Sequence, residues 1–193
     1  MTTWTCKAPG LAVALAFLAG CDGVPGAALL NGLTGSSKDV ALSQASMAFG
    51  TITLKPPRGF CIDKRTLQQQ FAIMARCDTL GVPSAAGDAP LGIIIASFAP
   101  SVVNGPLPGP SITASALGLT DISDVSLSDD SVIFRASGGA PLDDTATQHW
   151  RATARVGDQI MGLALYGPEG GRAIGDDGNI MLRAVVETSG PTS

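Results

Sequence analysis

The chain has 193 residues, 45% of them hydrophobic, and a net charge of −4, which suits one ordinary domain that buries its own core. The negative charge and the lack of a basic stripe disfavour nucleic acid as a partner. The sequence holds one histidine and four cysteines, which leaves few residues for acid–base, nucleophilic or zinc chemistry.

The N-terminus has the layout of an export signal. Its one charged side chain is Lys7, an apolar run follows over residues 11–17, and small residues precede the cysteine in Leu18-Ala19-Gly20-Cys21. The apolar segment 8–20 is shorter than the roughly 20 residues of a membrane-spanning helix. Because a cysteine thiol can carry a thioether-linked diacylglycerol, the pattern resembles the lipobox of bacterial lipoproteins. The alternative is a free cysteine beside an ordinary cleavage site.

The lipobox resemblance implies that the signal peptide is removed and that Cys21 carries diacylglycerol and an N-acyl chain such as palmitate. Two or more chains anchor a protein stably to one leaflet of a membrane, here in the cell envelope and facing the periplasm. Asp22 after the cysteine favours the inner membrane. We therefore expect a signal peptide over 1–20, a lipidated cysteine and flexible tether over 21–47, and a single domain over 48–190.

Cys61 and Cys77 remain once cleavage and lipidation have used the other two cysteines. An even pair in an exported protein predicts a disulfide, worth about 3 kcal/mol for a loop near 15 residues. A redox pair or metal site is the alternative, but no histidine or further cysteine lies near enough in sequence to complete a zinc set. Residues 59–63, Gly-Phe-Cys-Ile-Asp, and the apolar segment 71–77 ending in cysteine resemble a pattern of uncharacterised exported bacterial proteins, which supports this pairing.

The first half of the body is predicted from hydrophobic alternation and turn residues. The elements are a short helix over 38–47, a strand over 49–54, a helix over 64–70 capped by Asp63, a strand over 71–77 with Phe71, Ile73, Ala75 and Cys77 towards the core, and a central strand over 91–98 buried on both faces.

The second half contains the clearest signal, a hairpin of residues 149–156 and 159–166 that turns at Gly157-Asp158. We also expect a helix over 112–119, a strand over 131–136, and a final helix over 178–188 whose apolar stripe is Ile180, Met181, Ala184, Val185 and Thr188. These elements predict an α+β fold with a largely antiparallel sheet, a few short helices and a C-terminal helix. Their order resembles the Mog1/PsbP-like α/β/α sandwich.

Catalytic and metal-binding motifs are weak in this sequence. His149 is the only histidine, so a triad would have to use it, and no Gly-x-Ser-x-Gly elbow is present. The aspartate pairs at 129–130, 143–144 and 176–177 lack the offsets of a calcium loop, and no glycine pattern fits a phosphate site. We expect no catalytic residue, no metal and no cofactor.

Arg151 and Arg155 lie four residues apart on one face of the predicted hairpin, with Thr153 between them, which is suited to an anionic ligand or partner. An ordinary solvated sheet face is the alternative. We expect an envelope lipoprotein with a non-enzymatic binding or scaffolding domain and an envelope protein partner. An envelope enzyme that uses His149, and a domain that binds a small hydrophobic molecule in an apolar cavity, remain as alternatives.

Overall fold

The structure is a computed structural model that describes residues 40–101 and 105–192. The predicted signal peptide, the lipid attachment site Cys21, Asp22 and the tether up to residue 37 lie outside the described residues. The described part is an α+β domain that is dominated by antiparallel pairing, so the predicted fold class is confirmed.

Eleven strands are assigned within the described ranges. They are β1 (Ala41–Leu42), β2 (Ala45–Met47), β3 (Ile52–Leu54), β4 (Phe60–Asp63), β5 (Phe71–Arg76), β6 (Ile93–Pro100), β7 (Thr120–Leu127), β8 (Ser131–Ser137), β9 (Gln148–Val156), β10 (Gln159–Tyr166) and β11 (Gly190–Pro191). Eight of them form one sheet in the order β1-β4-β5-β6-β10-β9-β8-β7, and three form a small sheet in the order β11-β3-β2. The large sheet is therefore two meanders joined where β6 pairs with β10.

Within the described ranges, two α-helices lie on opposite faces of the large sheet. The helix α1 (Pro110–Leu117) begins with a proline and ends at Gly118, whose φ of 65° suits a glycine after a helix. The helix α2 (Asp176–Thr188) has two aspartates in its first turn, where negative charge is favourable. Neither described helix is long and apolar enough to cross a membrane.

The main core lies between α2, the small sheet and one side of the large sheet, which we call the inner face. Side chains alternate across a strand, so Trp150, Ala152, Ala154 and Val156 of β9 all point to the inner face. Trp150 is 2% exposed and its Nε1 donates to the Gly175 carbonyl at 2.8 Å, which fixes the start of α2 on the sheet.

The opposite side of the large sheet is the outer face. Here α1 and the segment that leads into it cover Val132, Phe134 and Ala136 of β8, which form a separate apolar cluster with Leu107 and Leu119. The outer face of β5 and β6 is only half-buried, so α1 covers one end of this face and leaves the other end accessible.

The disulfide between Cys61 and Cys77 is present, with the two Cα atoms 4.9 Å apart. It lies on the outer face in a small cluster with Leu80, and Cys77 follows the last residue of β5. The prediction that Cys77 points into the main core is therefore wrong. The cross-strand partner of Ile73 is Ile95 of the outer face, so Phe71, Ile73 and Ala75 lie there too, while Ala72 and Met74 enter the core.

The predicted helix over 38–47 is wrong for its described residues, which form β1 and β2. Ala41 and Leu42 pair with β4, and the alternate residues Ala45 and Met47 are buried against β3. These strands lie inside the predicted tether, so the folded domain begins before residue 48. The next predicted strand is also shorter, because Phe49 has a φ of 59° in a turn and is 77% exposed.

Three further predictions differ from the structure. The strand β6 is central, as predicted, but buries only its inner-face residues, since Ser97 is exposed on the outer face. The helix capped by Asp63 is a short 3-10 turn over Lys64–Thr66. Along α2 the buried residues are Gly178, Met181, Leu182 and Val185, whereas Ile180 is 66% exposed.

Candidate functional site

The predicted hairpin is confirmed, and it brings four polar or aromatic side chains together on the outer face. Arg151 pairs with Ala164 and Thr153 with Gly162 across β9 and β10, so odd residues of one strand face even residues of the other. His149 stacks on Tyr166 at the end of the hairpin, with the ring centroids 4.5 Å apart. The prediction that Arg151, Thr153 and Arg155 share a face is therefore correct.

His149 is fully buried and both of its ring nitrogens are hydrogen-bonded. Nδ1 lies 2.8 Å from the Thr147 carbonyl, to which it donates, and Nε2 accepts from Arg151 Nε at 2.8 Å. Burial, together with the nearby charge of Arg151, lowers the pKa of His149 below its ordinary value of 6.5. The imidazole is a neutral structural group that orients Arg151, and it has no nitrogen left for acid–base catalysis.

Arg151 carries a positive charge that no described residue neutralises with an ion pair. Its Nη2 donates to the Tyr166 hydroxyl at 2.7 Å, and its guanidinium carbon lies 5.6 Å from the centroid of that ring. Burial lowers the pKa of the Arg151 guanidinium, which still stays protonated as arginine does in proteins. The third nitrogen, Nη1, makes no hydrogen bond with the described part of the chain, so one donor group is available to a ligand.

A cleft of about 170 Å³ opens beside Arg151, between α1 and the outer face of β6, β9 and β10. We call it the arginine cleft. Its polar wall consists of Arg151, Thr113, Thr153 and Ser97, and its apolar wall is formed by Ile95, Leu117 and Ala164. Ala152 and Leu163 also border the cleft, but their side chains belong to the main core. Gly162 and Ala164 leave the space because larger side chains there would fill it.

The Thr113 hydroxyl is the second unsatisfied group of the cleft. Oγ1 of Thr113 is buried and has no hydrogen-bond partner among residues 40–101 and 105–192. A buried hydroxyl without a partner costs about 1–3 kcal/mol, so native structures rarely keep one without a reason. Arg151, an uncompensated cation, and Thr113, whose buried hydroxyl has no partner in the described residues, thus line one small cavity.

Arg155 has a different role from Arg151. Its Nη1 donates to Ser101 Oγ at 2.5 Å and its Nη2 donates to the Gly105 carbonyl at 2.6 Å. Arg155 therefore connects β9 to the segment between β6 and α1, and it does not line the arginine cleft. Of the two arginines predicted to bind a ligand, the structure places only Arg151 at a cavity.

A larger groove of about 410 Å³ lies between the segment 84–90 and α2. Ile180 and Met181 supply apolar surface, but the ion pair of Arg172 with Asp177, 2.6 Å long, also lines it. The groove is an open surface of mixed polarity, and two of its charged side chains already neutralise each other. No group of three or more His, Cys, Asp or Glu side chains in the described ranges is arranged to hold a metal.

Sequence reasoning found Arg151 and Thr153 but missed the rest of the cleft. The alternation that placed Arg151 on one face of the hairpin also places Tyr166 on that face, so the position of Tyr166 could have been predicted from the sequence. Thr113 and Ser97 come from α1 and β6, and no local pattern connects them to the hairpin.

No protein-family model matches this chain, and a search of curated proteins finds no match either. The chemistry of the arginine cleft is therefore inferred from its own residues and their geometry.

Proposed function

We propose that this protein is a lipid-anchored protein of the bacterial cell envelope whose domain binds a ligand or partner without catalysing a reaction. The Leu18-Ala19-Gly20-Cys21 motif supports the anchor, and Asp22 favours the periplasmic side of the inner membrane. The disulfide of Cys61 and Cys77 is also typical of an oxidising compartment such as the periplasm.

The observation that carries the binding role is the uncompensated charge of Arg151 in the arginine cleft. Removing a cation from water without a counter-ion costs free energy, which a bound anion would recover. The buried Thr113 hydroxyl in the same cleft supports this role, because it too would gain a partner from a ligand.

The two alternatives from the sequence receive less support. An enzyme that uses His149 would need a ring nitrogen that is accessible to a substrate, yet both nitrogens are engaged and the residue is buried. A hydrophobic-ligand domain would need an apolar cavity, whereas the 410 Å³ groove is lined in part by the Arg172–Asp177 ion pair.

The anchor is tested by the intact mass of the protein purified from membranes, with Cys21→Ala as the matched control. We expect the mass of residues 21–193 plus a diacylglycerol and an acyl chain, with two hydrogens gained on reduction of the disulfide. The Cys21→Ala variant should leave the membrane fraction. An unlipidated wild-type chain in the soluble fraction would contradict the anchor.

The binding role is tested by crosslinking in intact envelopes, followed by purification of the protein. We expect specific crosslinked products that are lost when Arg151 is changed to Gln, while Lys55→Gln, an exposed substitution outside the cleft, leaves them unchanged. If no specific product is recovered from wild type, and no small molecule copurifies, the binding role is wrong.

A further inference from the structure

We infer that the arginine cleft binds a small monocarboxylate with a compact apolar body. This inference rests on the proposed binding function and adds to it the chemical class of the ligand. It depends on three features of the cleft, which are its charge, the number of its donors and its size.

The charge of the cleft selects an anion. Arg151 is held in place from two sides, by His149 Nε2 and by the Tyr166 hydroxyl, both of which are uncharged acceptors. These contacts orient the guanidinium but leave its charge without a counter-ion in the described part of the chain. A carboxylate beside Nη1 would form a charge-assisted hydrogen bond, which is stronger than a neutral one.

The number of donors distinguishes a carboxylate from a phosphate. Arg151 has engaged Nε and one N–H of Nη2, which leaves Nη1 as the guanidinium nitrogen without a partner in the described part of the chain. Nη1 and the Thr113 hydroxyl together are two donor groups, which match the two oxygens of one carboxylate. A phosphate would keep further oxygens without partners.

The size and lining of the cleft define the rest of the ligand. Its volume of about 170 Å³ is close to that of a cavity of about 150 Å³ that binds benzene. Ile95, Leu117 and Ala164 supply an apolar wall for a body of this size. The cleft therefore suits a ligand in which one carboxylate is attached to a single ring or a short branched chain.

Benzoate is a suitable probe, and benzamide, its neutral counterpart of the same shape, is the matched ligand control. Isothermal titration of the purified full chain should show that benzoate binds at one site and that benzamide binds at least about tenfold more weakly. The factor is that of one hydrogen bond to a charged group. Inorganic phosphate should bind more weakly than benzoate.

Thr113→Val is the decisive variant, since valine keeps the shape of threonine and removes only the hydroxyl. Oγ1 has no partner in the described part of the chain, so the variant should unfold at the same temperature as wild type or a higher one. Its affinity for benzoate should fall about tenfold, while Ser115→Ala, on the exposed side of α1, should leave the affinity unchanged.

The inference is overturned by no binding of benzoate, by equal binding of benzoate and benzamide, or by unchanged affinity in a folded Thr113→Val variant. If phosphate binds more tightly than benzoate, the ligand is not a carboxylate, although the domain would still bind an anion. The crosslinking result for the proposed function does not depend on benzoate, so the failure of one can be told from the failure of the other.

Discussion

At the scale of the residue, the chemistry of this domain is concentrated in three side chains of one hairpin. His149 is neutral because its buried ring accepts from Arg151 through Nε2, and Arg151 is fixed because it also donates to the Tyr166 hydroxyl. A histidine is most often considered for catalysis or a pH switch. Here the imidazole positions a cation, and the cation is the group that is available to a ligand.

The free energy of unfolding should depend on pH through His149. The pKa of His149 is lower in the folded protein than its ordinary value, so below about pH 6.5 the unfolded chain binds the extra proton first. We therefore expect stability to be full above about pH 7 and to fall as the pH drops towards about 5.5, by at most about 1.4 kcal/mol per pH unit.

Urea unfolding at a series of pH values measures this dependence. The aspartates with lowered pKa, Asp63, Asp78 and Asp124, contribute only near and below their ordinary value of 3.8, so they do not interfere in this range. His149→Gln should flatten the profile, since the chain has no other histidine. A wild-type profile that is flat from about pH 7 to about pH 5.5 would contradict the prediction.

At the scale of the element, the contact of α2 with the large sheet depends on a glycine. Gly178 lies in the first turns of α2, and a Cβ added there would overlap the Trp150 ring and the Ala173 carbonyl oxygen. The helix can therefore approach β9 only without a side chain at this position. This contact also explains why the buried stripe of α2 runs through Gly178, Met181, Leu182 and Val185.

Gly178→Ala should destabilise the domain, although alanine is the better helix former by about 1 kcal/mol. The added methyl must displace the Trp150 ring or the helix, which typically costs about 1–3 kcal/mol in a packed core. Chemical denaturation should show this loss. Gly139→Ala, where an added Cβ meets no atom within 4 Å, is the matched control and should change stability little. An unchanged or raised stability of Gly178→Ala would contradict the packing.

The edge strand β7 shows how an element can be hidden from sequence patterns. Ile122, Val125 and Leu127 are exposed, so the strand has no buried apolar face to produce alternation. Its pairing with β8 also shifts register twice, and Asp121 and Asp124 have φ values of 51° and 50°. Bulges of this kind protect an edge strand from pairing with other chains, and they also interrupt the period of two.

At the scale of the whole molecule, the disulfide crosslinks the meander that contains β4 and β5. Cys61 lies in β4 and Cys77 follows β5, so the bond joins two neighbouring strands near one end of the large sheet. The two cysteines are separated by 16 positions, and the bond restricts the unfolded chain over that loop.

Loss of the disulfide should lower the free energy of unfolding by about 3 kcal/mol, or Tm by roughly 6–12 °C for a chain of this size. The double variant Cys61→Ala/Cys77→Ala, compared with wild type with and without reductant, measures this effect by calorimetry. Reductant should lower the Tm of wild type and leave that of the double variant unchanged. Equal Tm values for oxidised and reduced wild type would refute the stabilising role.

The sequence by itself determined those features that depend on neighbouring residues. The hairpin of β9 and β10, the helix α2 and the pairing of Cys61 with Cys77 were all predicted, because alternation, turn residues and an even cysteine count act over short distances. The same alternation placed Arg151 on one face with Thr153. The lipid anchor, the envelope location and the Mog1/PsbP-like resemblance stay predictions from the sequence.

Only the tertiary structure decided which face of each strand is buried and which residues meet. The pairing of β6 with β10, far apart in the chain, puts Ser97 beside the hairpin, and the position of α1 over the sheet brings Thr113 to Arg151. The order of strands in a sheet is set by long-range packing, which no local period encodes. For that reason Arg151 could be identified from the sequence, whereas the cleft around it could be identified only from the tertiary structure.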